Sequence, residues 1–184
     1  MVVLGDSLSA GYGLPAGAAF PERLAVALKD KGIAVDMINA GVSGDTASGG
    51  LGRLDWSIPD GTDAVILELG ANDALRGLDP ALTRKALDTA LTKLKERKIT
   101  VLLAGMMAPR NMGPDYVKTF DGMYAALAAA HGAILYPFFL EGVAGDSKLN
   151  QPDGLHPTAA GIDIIVKNIL PKVEELIGRI KAEK

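Results

Sequence analysis

The chain has 184 residues, of which 48% are hydrophobic and 22% charged, with a formal net charge of −3, no cysteine and two histidines. A length of this order suits one hydrophobic core, since single domains commonly run to about 100–200 residues, and the chain is read as one domain over 1–184. The composition excludes a disordered chain, offers no basic surplus for nucleic-acid phosphates, and rules out a disulfide framework, a thiolate nucleophile or a cysteine metal site.

The first strand is Val2–Leu4, ended by Gly5. A helix over Ala19–Lys31 follows, with Leu24 and Leu28 four apart on one face and Gly32 at its end. A second strand is expected over Ala34–Asn39 and a third over Asp63–Leu69. Asp79 and Pro80 read as an N-cap with proline at the first helical position, opening a helix to Lys98 whose apolar face carries Leu87, Leu91 and Leu94. Ile99–Ala104 is a fourth strand, Pro114–His131 an alanine-rich helix and Ala133–Tyr136 a fifth strand. The last helix starts near Thr158, with Ile162, Ile165, Ile169, Val173, Leu176 and Ile180 in its apolar stripe and Pro171 as a kink. Apolar strands alternating with helices predict an α/β fold, a parallel five-stranded sheet covered on both faces as a three-layer sandwich. In such folds, sites form in the loops beyond the carboxyl ends of the strands.

Four polar, glycine-rich segments fall where that rule places a site: Gly5-Asp6-Ser7-Leu8-Ser9, Asn39 to Thr46, Gly70-Ala71-Asn72-Asp73 and Asp153-Gly154-Leu155-His156-Pro157. Ser7 after Gly5 at a strand-to-helix turn is the ordinary place for a helix N-cap, and a nucleophile is its other reading. The Gly-x-Ser-x-Gly elbow is absent, because Ser9 stands where the second glycine would be, and no P-loop follows. His131 ends a helix before Gly132, where a histidine caps the last carbonyls. His156 lies in an irregular turn with Asp153 three residues earlier, close enough for the carboxylate to reach Nδ1 and leave Nε2 facing a hydroxyl. Asn72 is compatible with a left-handed turn or with an amide donor to an oxyanion, and Gly44 with a positive φ or with a close backbone donor. Asp6, Asp45 and Asp73 read as loop ties rather than metal ligands.

Taken together, these segments resemble the four sequence blocks of the GDSL, or SGNH, hydrolase family. The stretches GDSLSAGYGLP, GVSGDT, ELGANDALRG and DGLHP are similar to its arylesterase and thioesterase/lysophospholipase branch, in order from Leu4 to Gly161. The resemblance implies a flavodoxin-like strand order 2-1-3-4-5 and a serine ester hydrolase that needs neither metal nor cofactor. It implies Ser7 as nucleophile, His156 as base and then acid, and Asp153 as its orienting carboxylate. The oxyanion donors would be the N–H of Ser7, the N–H of Gly44 and the side-chain amide of Asn72. The expected substrate is a small-molecule aryl or short-to-medium acyl ester, or a thioester such as an acyl-CoA, or a lysophospholipid. Leu75 and Leu78, with Met106, Met107, Pro109 and Met112 beyond the fourth strand, are candidates to line an acyl groove or to pack against neighbouring helices.

Two other readings remain at this point. A carbohydrate O-deacetylase would use the same site but want aromatic sugar platforms, and aromatic residues make up 5% of the chain, with Trp56 the sole tryptophan. A non-catalytic flavodoxin-like binding module would leave Ser7, Asn72 and the Asp153–His156 pair without a task. Apolar runs such as Val101–Pro109 reach about half of the roughly 20 residues a spanning helix needs, so no stable membrane insertion is expected. No basic segment precedes an apolar one, so no signal peptide is read, and Met1 is compatible with a native start or with a trimmed precursor. The branch resembled is commonly exported, which sets the expected location as periplasmic or secreted after leader removal, with the cytoplasm as alternative. The sequence leaves the oligomeric state open.

Overall fold

The computed structural model describes residues 1–183. Five strands, β1 (Val2–Gly5), β2 (Ile38–Gly41), β3 (Ala64–Glu68), β4 (Thr100–Ala104) and β5 (Ile134–Tyr136), form one sheet in the order β2-β1-β3-β4-β5. Every pairing is parallel, with Val2 beside both Ile38 and Val65, and Leu102 beside Ile66 and Ile134. Strands β1 and β3 are buried along their whole length, as their uninterrupted Val, Ile and Leu runs require when helices cover both faces.

The helices are α1 (Ser7–Ala10), α2 (Phe20–Asp30), α3 (Ala47–Ser57), α4 (Ala71–Leu75), α5 (Pro80–Glu96), α6 (Pro114–His131) and α7 (Ala159–Glu183). Helices α2 and α7 pack together on one side of the sheet, α7 lying on β3, β4 and β5. On the other side α5 packs between α3 and α6. The predicted faces are the ones buried: Leu24 and Leu28 of α2, Leu87, Leu91 and Leu94 of α5, and Ile162, Ile165, Ile169, Val173 and Leu176 of α7. Pro171 sits inside α7 without ending it. The Asp79 carboxylate caps α5 by accepting from the Ala81 N–H at 2.9 Å. Gly132 closes α6 at φ 69°, a left-handed cap that a side chain would strain.

Strand β2 departs from expectation. It covers Ile38–Gly41 rather than Ala34–Asn39, and Ile33, Val35 and Met37 pack against the core from an irregular segment instead. An edge strand pairs on one side only, so its apolar pattern is set by what lies beneath the preceding turn rather than by the ladder. Near the end of the sheet the backbone approaches closely: a Cβ on Gly41 would lie 2.3 Å from the Ala10 backbone N. Phe139, just past β5, meets Phe20 of α2 edge-on with ring centroids 4.9 Å apart, a contact worth about 0.5–1.5 kcal/mol that anchors the long segment before α7.

Candidate active site

Each residue of Gly5-Asp6-Ser7-Leu8-Ser9 has a distinct task. Asp6 is the N-cap of α1, its Oδ1 accepting from the Leu8 N–H at 2.9 Å. Because Asp6 fills the capping role, the Ser7 hydroxyl is free for another partner. Ser9 is buried and donates to Glu68 Oε2 at 2.7 Å. Gly5 has no room for a side chain, since a Cβ would lie 2.3 Å from Ser9 Oγ and 2.6 Å from Glu68 Oε2. Leu8 is buried.

The partner of Ser7 comes from the other end of the chain. His156 Nε2 lies 2.9 Å from Ser7 Oγ, and His156 Nδ1 lies 2.7 Å from Asp153 Oδ2. Asp153 Oδ1 accepts from the backbone N–H groups of His156 and Leu155 at 3.0 and 2.9 Å. These two amides, followed by the imidazole, hold the Asp153 carboxyl down at about 2. The turn itself is braced by Gln151, whose N–H donates to the His156 carbonyl at 2.7 Å and whose Nε2 donates to the carbonyls of Tyr12 and Pro157 at 2.8 and 3.0 Å. Nothing local in the sequence marks Gln151, a glutamine that joins segments so far apart.

Asn72 stands in the first turn of α4, after Gly70 at φ 119°, where a Cβ would lie 2.1 Å from Tyr124 Oη. Its Nδ2 donates to Asp6 Oδ2 at 3.1 Å and to the Asp45 carbonyl at 3.0 Å, so both amide hydrogens are held by the serine and Gly44 loops. Gly44 has φ 86°, and its carbonyl accepts from Arg76 Nη2 at 2.7 Å. Buried Arg53 ties these loops to the sheet by donating to Asp45 Oδ2, to the Ala40 and Gly5 carbonyls and to Ser57 Oγ. Asp73 accepts from the Ala47 N–H and from Thr83 Oγ1, joining α4 to α3 and α5. Asp6, Asp45 and Asp73 are therefore loop ties, as the sequence suggested. His131 contacts Asp88 through Nε2 at 2.7 Å, bridging α6 to α5 rather than capping helix carbonyls, and stays apart from the Ser7 cluster.

Two buried carboxyls lie beneath the serine loop. Burial raises Asp6 from 3.8 to about 6, offset in part by the Leu8 N–H and the Asn72 amide. Burial first, and the Asp6 charge second, push Glu68 well above its usual value; the Ser9 hydroxyl and Asp6 N–H oppose this. Glu68 Oε1 has no partner among the described residues. A glutamate inside the apolar run AVILE is the signal that could have flagged it. A carboxyl with a raised folded-state pKa contributes stability at low pH and loses it as pH rises past its ordinary value, for Asp6 between 3.8 and about 6. Asp153 has the opposite sign: its contribution is present above 3.8 and is lost as pH falls toward about 2. The thermal midpoint is thus expected to rise as pH is lowered from 7 toward 4.5, with a visibly shallower slope in Glu68→Gln. Equal slopes in the two proteins, measured by circular dichroism, would refute this account.

Ser7 and His156 open into a cavity of about 470 Å³ lined mostly by apolar atoms. Leu75, Met106, Met107 and Pro109 line it, as anticipated. Leu78 and Met112 are not among its lining residues, and for these two the packing alternative fits. The Leu78 carbonyl instead accepts from Tyr116 Oη at 2.8 Å, and Met112 Cε packs toward Gly77. Phe138, Leu140 and Leu155 supply lining the sequence did not reveal, because they come from the aperiodic segment between β5 and α7. Trp56 is exposed on α3 and is not part of the cavity wall.

A hydroxyl, an imidazole and a carboxylate linked in series beyond the carboxyl edge of a 2-1-3-4-5 sheet define an α/β-sandwich protein of the serine-hydrolase class. The chain belongs to the GDSL-like lipase/acylhydrolase family, whose model matches residues 3–164. It is 39% identical over 178 residues to the esterase TesA of Pseudomonas aeruginosa, covering 96% of this chain and 89% of that protein. To an arylesterase of Vibrio mimicus it is 40% identical over 158 residues, covering 85% and 79%. The crystal structure of AlinE4, an SGNH-hydrolase family esterase, superposes with a TM-score of 0.80 at 47% identity, covering 95% of this chain and 94% of that one.

Proposed function

We propose that the protein hydrolyses carboxylic esters and thioesters with aryl or short-to-medium acyl groups through an acyl-enzyme on Ser7. The observation that carries this reading is the continuous Ser7–His156–Asp153 chain of contacts, at 2.9 and 2.7 Å, beside an apolar cavity. In the first step Ser7 Oγ attacks the acyl carbonyl while His156 Nε2 takes its proton, and Asp153 stabilises the imidazolium. His156 then passes that proton to the leaving alcohol or thiol. Water, deprotonated by His156, releases the acid and restores Ser7.

The developing oxyanion is met by the N–H groups of Ser7 and Gly44 and by the Asn72 amide, each donor of this kind being worth roughly 10²–10³ in rate. Asn72 is preset for this by Asp6 and the Asp45 carbonyl, so the amide shares one of its hydrogens with the oxyanion instead of searching for it. The acyl chain lies against Met106 and Leu75, and flexible methionine at this wall suits more than one chain length. The apolar lining supports acyl esters over acetylated sugars, and Trp56 stands away from the cavity. Location outside the cytoplasm after removal of a leader belongs to the same reading, on the strength of the branch that the motifs resemble.

The test is a fluorophosphonate probe followed by peptide mapping, with a panel of p-nitrophenyl esters from acetate to palmitate, an acyl thioester and an acetylated sugar. The expected result is an adduct on Ser7 and a maximum at short-to-medium acyl esters, with the thioester cleaved and the acetylated sugar left intact. An adduct elsewhere, or none, would overturn the nucleophile; preference for the acetylated sugar would overturn the substrate class.

A further inference from the structure

The base of the site has an aromatic neighbour outside the acyl cavity. The Tyr12 ring lies with its centroid 4.5 Å from that of His156, the planes inclined by 39°. Tyr12 is 53% exposed, yet its backbone is fixed on both sides. Its N–H donates to the Ser7 carbonyl at 3.2 Å, and its carbonyl accepts from Gln151 Nε2 at 2.8 Å. Gly11 and Gly13 flank it at φ 83° and 71°, and a Cβ on Gly13 would lie 2.2 Å from Gln151 Oε1. Since the Gln151 backbone N–H also donates to the His156 carbonyl, one residue sets Tyr12 and His156 in register, through its side-chain amide and its main chain. A large aromatic face is thus held rigidly, in contact with the base, and left open to solvent.

We propose that Tyr12 is the leaving-group platform of this enzyme, a specificity-determining residue that stacks on the aryl group of aromatic esters. The inference rests on the hydrolase reading and adds to it the side of the site where the departing alcohol lies. During acylation the Ser7 Oγ–carbonyl carbon bond forms, the carbon–oxygen bond to the leaving group breaks, and the Ser7 proton passes through His156 Nε2 to that oxygen. The oxygen must therefore come within about 2.6–3.2 Å of Nε2. Whatever substituent it carries is then brought beside the imidazole, within reach of the ring that touches it. The acyl part is drawn into the cavity that Tyr12 does not line. A flat aryl group gains an offset or edge contact with Tyr12 that a short alkyl group does not.

The experiment compares phenyl butyrate with ethyl butyrate, which share an acyl group, in the wild-type, Tyr12→Phe and Tyr12→Ala proteins. The readout is kcat/KM, which reports the step in which the alcohol departs. In Tyr12→Ala the value for the phenyl ester is expected to fall about 3- to 10-fold, the range that an aromatic pair contributes, while the ethyl ester changes by less than about 2-fold. Tyr12→Phe is expected to keep the wild-type ratio, because the hydroxyl binds no other residue among those described. An equal fall for both esters would assign Tyr12 to holding His156 alone and overturn the proposal, as would an unchanged ratio. The ethyl ester also controls for folding. Failure of the hydrolase reading would look different: the Ser7→Ala protein would turn over both esters at the wild-type rate.

Discussion

Ser7→Ala is expected to lower kcat for a p-nitrophenyl ester by about 10⁴–10⁶-fold, the scale on which removing a serine nucleophile acts when its base has no alternative partner. The fold is expected to survive the change. Asp6, not Ser7, caps α1, so the helix keeps its N-terminal acceptor. Among the described residues the one side-chain hydrogen bond lost is that to His156 Nε2, and a single hydrogen bond contributes about 0.5–1.5 kcal/mol. A thermal midpoint within a few degrees of wild type, together with lost turnover and lost phosphonate labelling, is the predicted set. Ordinary turnover by the alanine protein would remove Ser7 from the chemistry.

The separation between cap and nucleophile shows what a sequence can and cannot resolve. The order of blocks and their position after strand ends was readable, because parallel strands announce themselves as short apolar runs and the loops that follow are polar and glycine-rich. Which of Asp6 and Ser7 caps the helix was not readable, since both residue types accept from backbone amides; only the 2.9 Å contact from the Leu8 N–H to Asp6 decides it. Helices α5, α6 and α7 were legible from their caps and apolar periodicity. Helix α3 was not, since its sequence ASGGLGRLDWS is too rich in glycine to look helical. It is held by the Thr46 cap, the Arg53 hydrogen bonds and buried Leu54, all of which are tertiary or capping effects.

The same reasoning separates the parts of the site. His156 and Asp153 sit three apart, so their contact is nearly local and their spacing reveals it. Glu68, Gln151 and Tyr12 act through partners on distant segments, and no local spacing encodes that. Leu78 and Met112 lie close in sequence to Asn72 and Met107, which leaves lining the cavity and packing against helices equally open. The chain instead turns after Leu75, so that Leu78 offers its carbonyl to Tyr116 while Leu75 faces the cavity. Phe138 and Leu140 could not be assigned at all, because the segment after β5 has no period to follow.

Asp153→Asn is expected to lower kcat by about 10⁴-fold in a chain that still folds, and the reason lies in which oxygen does what. Oδ1 accepts two backbone N–H groups, from Leu155 and His156, and an amide must keep its oxygen there to satisfy them. The amide nitrogen then occupies the Oδ2 position, 2.7 Å from His156 Nδ1 in the wild-type protein. An N–H pointing at Nδ1 forces that nitrogen to accept, which moves the ring proton to Nε2. Nε2–H then donates to Ser7 Oγ and cannot take its proton, so the side chain remains in place while the base is lost. The charge that would stabilise the imidazolium disappears as well, and in the wild-type protein that charge is present throughout the neutral range because the carboxyl is held at about 2. Phosphonate labelling of Ser7 is expected to slow in proportion to kcat, since both need the hydroxyl deprotonated. If kcat fell by less than about 10-fold with the fold intact, the tautomer would not be set by Asp153, and the carboxylate would serve the turn rather than the base.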